Sequence, residues 1–382
     1  MACMRVAVVG GGIIGLSTAW QLALEGVEAV VLERGEAGRE ATWASAGMLA
    51  PNLEAEPGEE ALLPLLLESG RMWPKFAEQL EELSGIKVNY RTEGAMAVAL
   101  NRGDVEELRF QHSFQRRLGL DVKWMDGEEA LEMEPNLNRN ILAALYSGSD
   151  HQVDNRLVVK ALKVALQRSG GVLKEHTEVK RIIVEGNRVR GVMADGLVIG
   201  ADYVVVAAGA WSRRLEGIPD NAKPPVRPVK GQMLSVKTPG NNPLLTHVVW
   251  GPTRAWGMTY LVPRLDNRIL VGSTVEEMGF DKSVTAGGLM NLLRGAWEVF
   301  PPIYDLPVDE VWAGLRPGSV DDAPILGPTE VEGLVMAVGH FRNGILLAPI
   351  TAEAVVKYIL EGGLPEVAQP FTMNRFRKEV AK

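Results

Sequence analysis

The chain has 382 residues, which exceeds what one ordinary hydrophobic core needs, so its length predicts two domains. Hydrophobic residues make up 46% and charged residues 23%, a globular composition that excludes a disordered or fibrous chain. The formal net charge of −8 and the absence of a long Lys/Arg-rich run argue against nucleic acid as a partner.

Cysteine usage and apolar patterning bear on the compartment of the protein. Cys3 is the one cysteine, so a disulfide within the chain is impossible and a cysteine-based metal site is not expected. The apolar stretch 6–9 is interrupted by glycine at once, and no segment has the roughly 20 continuous apolar residues of a membrane-spanning helix. We therefore expect a cytoplasmic protein with no metal site and no membrane partner.

The N-terminal residues have the pattern of a strand, a helix and a second strand. Residues 4–9 form an apolar, β-branched run that ends at Gly10, which is typical of a buried parallel strand. Residues 13–25 carry apolar side chains at helical spacing, and residues 28–33 form a second buried strand. Together they predict a strand–helix–strand unit.

Further helices and strands are predicted from the same periodicities. The helices lie at 68–84, 104–119, 155–168, 285–299 and 344–361. The strands lie at 92–100, 172–176, 178–185, 188–194, 197–199, 203–207, 231–236, 246–250, 257–263, 268–273 and 333–338. The strands between 172 and 199 have the short alternating pattern of a meander, and those between 224 and 275 favour an antiparallel sheet.

Strands of the parallel type occur near the start, middle and end of the chain, with the antiparallel segments between them. This order predicts an α/β fold in which a discontinuous, Rossmann-like nucleotide-binding domain is interleaved with an α+β substrate domain built on an antiparallel sheet. We assign residues 1–50, 151–222 and 312–382 to the nucleotide-binding domain, and residues 51–150 and 223–311 to the substrate-binding domain.

A glycine-rich turn joins the first strand to the first helix. Residues 10–15 read GGGIIG and satisfy the G-x-G-x-x-G pattern of dinucleotide binding, in the required position between strand and helix. Gly10 would allow the tight turn, Gly12 would let a pyrophosphate approach the backbone, and Gly15 would let the helix pack on the sheet. Glu33, which ends the second strand, would bind ribose hydroxyls and repel a 2′-phosphate. The motif alone does not distinguish NAD from FAD.

Three further segments resemble, in chain order, the second flavin-binding stretch, the central strand with its glycine turn, and the C-terminal flavin motif of the D-amino-acid oxidase superfamily. They are 39–49 (REATWASAGML), 202–212 (DYVVVAAGAWS) and 339–349 (GHFRNGILLAP). The last of them, together with 312–318 (WAGLRPG), looks like the glycine oxidases of thiamin biosynthesis. The resemblance covers nearly the whole chain in the same order, and it implies FAD as the cofactor.

The glycine turn and the resemblance imply a cofactor site drawn from distant parts of the chain. The small residues of 42–47 would let the backbone reach a planar ring, and a helix starting near Gly344 would direct its N-terminus at the flavin's N1–C2 carbonyl edge. Because Cys3 precedes the first strand, we expect FAD to be bound without a covalent bond. The expected cofactor-binding residues are Gly10, Gly12, Ile13, Ile14, Gly15, Glu33, Arg34, Thr42, Ser45, Ala46, Gly47, Met48, Val179, Ala208, Gly209, Trp211, Arg316, His340, Phe341, Arg342, Asn343, Gly344, Ile345 and Leu346.

The resemblance also implies a site for the carboxylate of a small amino acid. Arg316 matches the family's substrate arginine, and a guanidinium offers a two-pronged, permanently charged donor. It stands in the sequence GLRPG, which we interpret as a turn. Tyr260 matches the carboxylate-binding tyrosine, and these two are the expected catalytic residues. Met48 and Val275 would form an apolar wall beside the flavin ring.

The sequence leaves more than one role open for three residues near the site. Arg342 could line the substrate pocket or support the flavin edge, and His340 could touch the flavin or be structural. Met258 stands where the glycine oxidases have a histidine two residues before the pocket tyrosine, so the size of the pocket could differ. We include Arg342 and Met258 among the expected substrate-binding residues.

The expected reaction is hydride transfer from the substrate Cα to flavin N5, which requires a neutral amine and good positioning but no dedicated protein base. Glycine, oxygen and water would give glyoxylate, ammonia and hydrogen peroxide. Sarcosine, D-alanine and D-proline remain open as substrates. Alternatives are a flavin dehydrogenase that uses an acceptor other than oxygen, a non-catalytic nucleotide-binding subunit, and an NAD-dependent dehydrogenase. The family resemblance suggests a homotetramer.

Overall fold

The computed structural model describes residues 4–240, 243–252 and 258–376. In chain order the strands are β1 (Arg5–Val9), β2 (Glu28–Leu32), β3 (Met48–Leu49), β4 (Ala95–Ala99), β5 (Lys123–Asp126), β6 (Ala143–Ser147), β7 (His151–Gln152), β8 (Val172–Lys174), β9 (Val179–Glu185), β10 (Arg188–Ala194), β11 (Leu197–Gly200), β12 (Tyr203–Val206), β13 (Arg227–Lys237), β14 (Val248–Pro252), β15 (Met258–Pro263), β16 (Arg268–Gly272), β17 (Val308–Gly318), β18 (Ile325–Pro328) and β19 (Leu334–Val338). The α-helices are α1 (Ile13–Leu24), α2 (Ala41–Ala44), α3 (Leu63–Ser84), α4 (Arg102–Arg117), α5 (Gly127–Met133), α6 (Asn155–Arg168), α7 (Ala286–Val299) and α8 (Ala348–Glu361).

A six-stranded sheet contains the N-terminal unit. Its strand order is β18-β19-β12-β1-β2-β8, and its neighbours are parallel except for β18, which pairs antiparallel with β19. Val6 and Val8 of β1 belong to a core formed with α1, α6 and α8, whereas Ala7 and Val9 belong to a second core formed with β9 and β10. Both faces of the sheet are therefore covered, which explains why its strands are continuous apolar runs.

An eight-stranded sheet forms the other half of the molecule. Its order is β17-β13-β16-β15-β14-β4-β6-β5, and the described pairs are antiparallel except for β14 with β4. Helix α7 covers one face through Leu292, Ala296 and Val299. The opposite face packs against the segment around Ala44 and Ala46, which follows β2 in the chain. The predicted α/β architecture with parallel and antiparallel sheets is thus confirmed.

The structure corrects several details of the predicted elements. Strand β8 pairs parallel with β2, so the predicted four-stranded meander has three strands, β9 to β11. Helix α8 begins at Ala348 and not near Gly344. Strands β5, β6 and β18 and helix α5 were not predicted. Residue 312, at which we place a domain boundary, lies in β17 of the eight-stranded sheet, and the domain division stays a prediction.

Candidate active site

One cavity of about 760 Å³ lies between the carboxyl ends of β1, β2, β12 and β19 and the inner face of the eight-stranded sheet. Every expected cofactor-binding residue except Gly15 lines it. So do Tyr260 and Val275. Met258 begins β15, but its side chain lies outside the part that the structure describes. The structure therefore brings residues from distant segments of the chain to one place.

The glycine turn is shaped by close backbone approaches. Gly10 has φ of +109°, and a Cβ there would lie 2.5 Å from the Ala207 oxygen. A Cβ on Gly15 would lie 2.0 Å from the Gly10 oxygen, so this residue packs α1 on the turn and does not face the cavity. A Cβ on Gly12 would meet only Thr42 Oγ1, at 3.4 Å. The turn thus leaves open space at the N-terminus of α1, as a pyrophosphate requires.

Beyond this turn the cavity is lined by Glu33, Arg34 and Trp211. The two carboxylate oxygens of Glu33 accept hydrogen bonds from Gly11 N at 2.8 Å and Gly35 N at 2.9 Å. Each oxygen keeps a further lone pair that can accept a ribose hydroxyl. The guanidinium of Arg34 stacks 3.8 Å from the Trp211 ring centroid. These residues fit the adenosine half of a dinucleotide.

A buried cation that the sequence did not reveal holds the segment 42–47, whose first three residues belong to α2 and not to a loop. Arg264 donates to the Ala46 oxygen at 2.7 Å and to Asn155 Oδ1 at 2.9 Å. Asn155 in turn donates to the Thr42 oxygen at 2.7 Å, and Ile13 N donates to Thr42 Oγ1 at 3.1 Å. Burial lowers the pKa of Arg264 to about 10, so it stays charged at neutral pH. The predicted small-residue segment is thereby fixed against the glycine turn.

The C-terminal motif forms a turn before α8. The Leu346 oxygen accepts hydrogen bonds from Ser69 Oγ at 2.6 Å and Trp73 Nε1 at 2.9 Å. His340 lines the cavity but is buried, and its Nε2 lies 2.9 Å from Thr351 Oγ1. Burial lowers the pKa of His340 to about 3, so the ring is neutral at physiological pH. A structural role for His340 is favoured.

Arg316 lies in strand β17, and our interpretation of its surroundings as a turn was wrong. Its Nη1 donates to the Thr274 oxygen at 3.1 Å, and its Nη2 donates to Ser273 Oγ at 2.5 Å. Among the described residues, the acceptors of Arg316 are therefore uncharged oxygens, and the side chain faces the cavity. Burial lowers the pKa of Arg316, yet a guanidinium remains protonated in proteins.

Two glycines of the eight-stranded sheet make room for the expected catalytic pair. A Cβ on Gly231 would lie 2.5 Å from Arg316 Nη1, and a Cβ on Gly272 would lie 2.4 Å from the ring of Tyr260. Burial raises the pKa of Tyr260, so its hydroxyl is protonated at neutral pH. The two glycines therefore present only backbone atoms beneath the guanidinium of Arg316 and the phenol of Tyr260. Sequence reasoning missed both glycines, because only the folded sheet shows what lies above them.

Arg342 is engaged by carboxylates of the segment 54–59. Its Nη2 lies 2.6 Å from Glu59 Oε2, and its Nε lies 3.8 Å from Glu54 Oε2. Burial would lower the pKa of Arg342, but the charges of Glu54, Glu59 and Glu56 outweigh burial and raise it. Protein carboxylates thus balance the charge of Arg342. Arg316 is the cavity cation better placed to receive an external carboxylate.

Glu54 is a second functional candidate that sequence reasoning missed. It lines the cavity, and its charge influences both Tyr260 and Arg316. Burial raises the pKa of Glu54 to about 7, the charge of Arg342 opposes this shift, and the carboxylate of Asp150 adds to it. Glu54 therefore exchanges a proton near neutral pH. The acid-rich sequence EAEPGEE at 54–60 predicts a solvated surface, so the sequence did not indicate that Glu54 is partly buried.

Met48 and Val275, the apolar residues expected beside the flavin ring, differ in how far they are buried. Met48 packs on the core formed by the inner face of the eight-stranded sheet. Val275 lines the cavity, but it is 68% exposed and stands at the rim, so it does not form an enclosed wall. The expected wall is therefore limited to Met48 on the buried side.

The described residues contain neither a metal-binding cluster nor a membrane-spanning helix. No group of three or more His, Cys, Asp or Glu side chains there could hold a metal ion. None of the helices described is long and apolar enough to cross a membrane. Cys3, on which we based the expectation of non-covalent FAD, lies outside the described residues.

A dinucleotide turn that opens into the same cavity as an arginine–tyrosine pair defines a nucleotide-dependent oxidoreductase. The model of the FAD dependent oxidoreductase family matches residues 5–358 of the chain, and the chain belongs to that family. FAD is accordingly its cofactor, and the glycine turn, the 42–47 segment and the C-terminal motif fit it.

Individual relatives are similar over nearly the whole chain. The glycine oxidase of Geobacillus kaustophilus is 36% identical over 97% of this chain and 96% of its own length. The bifunctional protein ThiO/ThiG of Trichormus variabilis is 33% identical over 98% of this chain, which spans 56% of that longer protein. The crystal structure of the Geobacillus kaustophilus glycine oxidase matches with a TM-score of 0.89, over 98% of this chain and 100% of that one.

Proposed function

We propose that this enzyme is an amino-acid oxidase that favours glycine and forms glyoxylate, ammonia and hydrogen peroxide. The observation that carries the proposal is the guanidinium of Arg316, which faces the flavin cavity and has only uncharged acceptors among the described residues. A substrate carboxylate would supply the missing negative charge through two charge-assisted hydrogen bonds. The glycine oxidase relative, at 36% identity, supports glycine as the substrate.

Arg316 and Tyr260 would hold the carboxylate and so fix the position of the substrate Cα. The bound flavin would accept a hydride from that carbon at N5. Positioning of this kind supplies much of the rate enhancement in a reaction without covalent chemistry by the protein. Gly231 and Gly272 contribute by leaving space for the two side chains.

Glu54 would prepare the amino group. Free amino acids carry an ammonium group at neutral pH, and hydride transfer requires the neutral amine. Glu54 lies in the same cavity as Arg316, with its pKa raised to about 7 by burial, so its carboxylate can accept the ammonium proton. In this arrangement a negative side chain would face the amino end of the substrate and a positive one its carboxylate end. The proposal departs from our expectation that no protein base takes part.

A peroxide-coupled assay of the purified yellow protein under air tests the proposal. Glycine should give the highest kcat/KM among glycine, sarcosine, D-alanine and D-proline. Flavin reduction by glycine without oxygen, combined with no peroxide under air, would favour the dehydrogenase alternative. No reduction of the flavin by any of the four compounds would contradict amino-acid oxidation altogether.

Further expectations of the sequence belong to the same proposal. We infer that FAD is bound without a covalent bond, and acid denaturation should release it. The ThiO/ThiG relative supports a role in thiamin biosynthesis. A cytoplasmic homotetramer and the division into nucleotide-binding and substrate-binding domains stay predictions. Mass determination in solution tests the homotetramer.

A further inference from the structure

An ion pair between a fully buried lysine and a partly exposed glutamate lies behind the proposed carboxylate site. Lys230 in β13 has 0% of its side chain exposed, and its Nζ lies 3.1 Å from Glu276 Oε2. The two residues also exchange backbone hydrogen bonds, from Lys230 N to the Glu276 oxygen at 2.8 Å and from Glu276 N to the Lys230 oxygen at 2.9 Å. The segment 273–276 is thereby clamped to β13 beside Gly231.

The second oxygen of Glu276 organises the residues next to Arg316. Glu276 Oε1 accepts hydrogen bonds from Gln232 Nε2 at 2.7 Å and from Thr274 Oγ1. Gln232 N donates to the same Thr274 hydroxyl at 2.8 Å. Burial raises the pKa of Glu276, but its hydrogen bonds with Thr274, Gln232 and Lys230 outweigh burial and lower it. Glu276 is therefore ionised at neutral pH and fixes Thr274 in place.

Thr274 and its neighbour hold the guanidinium. The Thr274 oxygen accepts from Arg316 Nη1 at 3.1 Å, Ser273 Oγ accepts from Nη2 at 2.5 Å, and the Lys230 oxygen accepts from Nη1 at 3.4 Å. The contacts therefore run without a gap from the Lys230–Glu276 ion pair to the guanidinium of Arg316. Neither Lys230 nor Glu276 lines the cavity, so neither would touch substrate or cofactor.

We propose that Lys230 and Glu276 are positioning residues for Arg316, whose guanidinium they aim at the substrate carboxylate by fixing the segment 273–276. The ion pair is weak evidence for a contribution to stability, because the desolvation of Lys230 offsets the attraction of the two charges. The position of the ion pair next to the residues that hold Arg316 explains its presence. This inference rests on the proposed function, since it requires a carboxylate ligand at Arg316.

The test uses acetate, a carboxylate without an amine, as a probe of the clamp in the FAD-loaded enzyme. Acetate binding is followed by the change in flavin absorbance, and the KM and kcat for glycine are measured beside it. Glu276→Gln should weaken acetate binding and raise the KM for glycine by about tenfold, the effect of one misaligned charge-assisted hydrogen bond, with a smaller change in kcat.

Two further variants separate positioning from a structural effect. In an Arg316→Ala background, Glu276→Gln should leave the remaining acetate affinity unchanged, because its effect acts through Arg316. Glu134→Gln is the matched control, since Glu134 is a buried carboxylate that accepts from Thr246 N at 2.7 Å and His247 N at 2.6 Å. It should leave acetate binding as in the wild type.

The outcomes are distinguishable. Unchanged acetate affinity in Glu276→Gln, or an equal loss in the Arg316→Ala background, overturns the inference. If Glu276→Gln does not fold, Thr274→Val decides, because it removes the hydroxyl link without changing charge. It should also weaken acetate binding, and wild-type affinity in that variant overturns the inference. Failure of wild-type enzyme to bind acetate at all would instead contradict the proposed function.

Discussion

A single methyl group placed beneath Arg316 should misalign the proposed carboxylate clamp. In Gly231→Ala, the new Cβ would lie 2.5 Å from Nη1, 2.6 Å from Nη2 and 2.7 Å from Cζ of Arg316. Ordinary van der Waals contact begins at 3.4 Å, so the guanidinium must move by about 0.9 Å. The atoms in the way are the far end of a flexible side chain, and residue 231 lies in a regular strand. We therefore expect the protein to fold.

The cost can be worked from the hydrogen bonds that the movement disturbs. A displacement of this size misaligns at least one of the two charge-assisted bonds to the substrate carboxylate, worth about 1.5–3 kcal/mol. Because 1.4 kcal/mol corresponds to a tenfold change, kcat/KM for glycine should fall roughly 10- to 150-fold. The loss should appear mainly in KM and in acetate affinity.

Steady-state peroxide formation measures this loss, and flavin content and thermal unfolding show that the variant is otherwise intact. Gly287→Ala is the control, because a Cβ at that position in α7 meets nothing within 4 Å. It should retain wild-type kcat/KM. Wild-type kcat/KM in Gly231→Ala would refute the assignment of Arg316 as the clamp.

Three other changes test separate parts of the site. Burial raises the pKa of Glu54 to about 7, so wild-type kcat/KM should increase with pH through about 7 as the proton-accepting carboxylate forms. Glu54→Gln should abolish that increase and lower kcat/KM at pH 8 about 100-fold, and an unchanged pH profile would count against the role. Arg264→Met leaves the buried Ala46 and Val153 oxygens without their donor, so the free energy of unfolding in urea should fall by about 2–4 kcal/mol, whereas an unchanged midpoint would contradict this. Gly10→Ala places a Cβ against backbone at φ of +109°, so the protein should purify colourless, and a yellow variant would show that the turn tolerates a side chain.

The nucleotide-binding half was the more predictable part of the fold. The strand and helix periods of residues 4–33 identified β1, α1 and β2 to within a residue or two, because buried parallel strands are continuous apolar runs. Strand β17 was misread because Pro317 and its glycines resemble a turn. β17 lies at the edge of its sheet, and β13 is its one partner among the described strands, so proline's missing N–H costs little there.

The candidate site was also predicted only in part. Motif residues such as Thr42 and Arg316 were predicted, because local sequence carries the resemblance. Glu54 and Arg264 were missed, because their roles depend on contacts distant in sequence. Glu54 lies partly buried beside Arg342, which is 288 residues further along the chain, and Arg264 reaches Ala46 across 218 residues. No local pattern encodes such pairs.

The central claim is that Arg316 holds a small amino acid by its carboxylate over the flavin. Mixing glycine with the yellow enzyme in the absence of oxygen, and following the loss of flavin absorbance, tests it directly. Wild-type enzyme should be reduced by glycine, and Arg316→Ala should require on the order of 10²–10³ times more glycine for the same rate, as expected for a lost buried charge pair. Equal reduction of both proteins at the same glycine concentration would contradict the account.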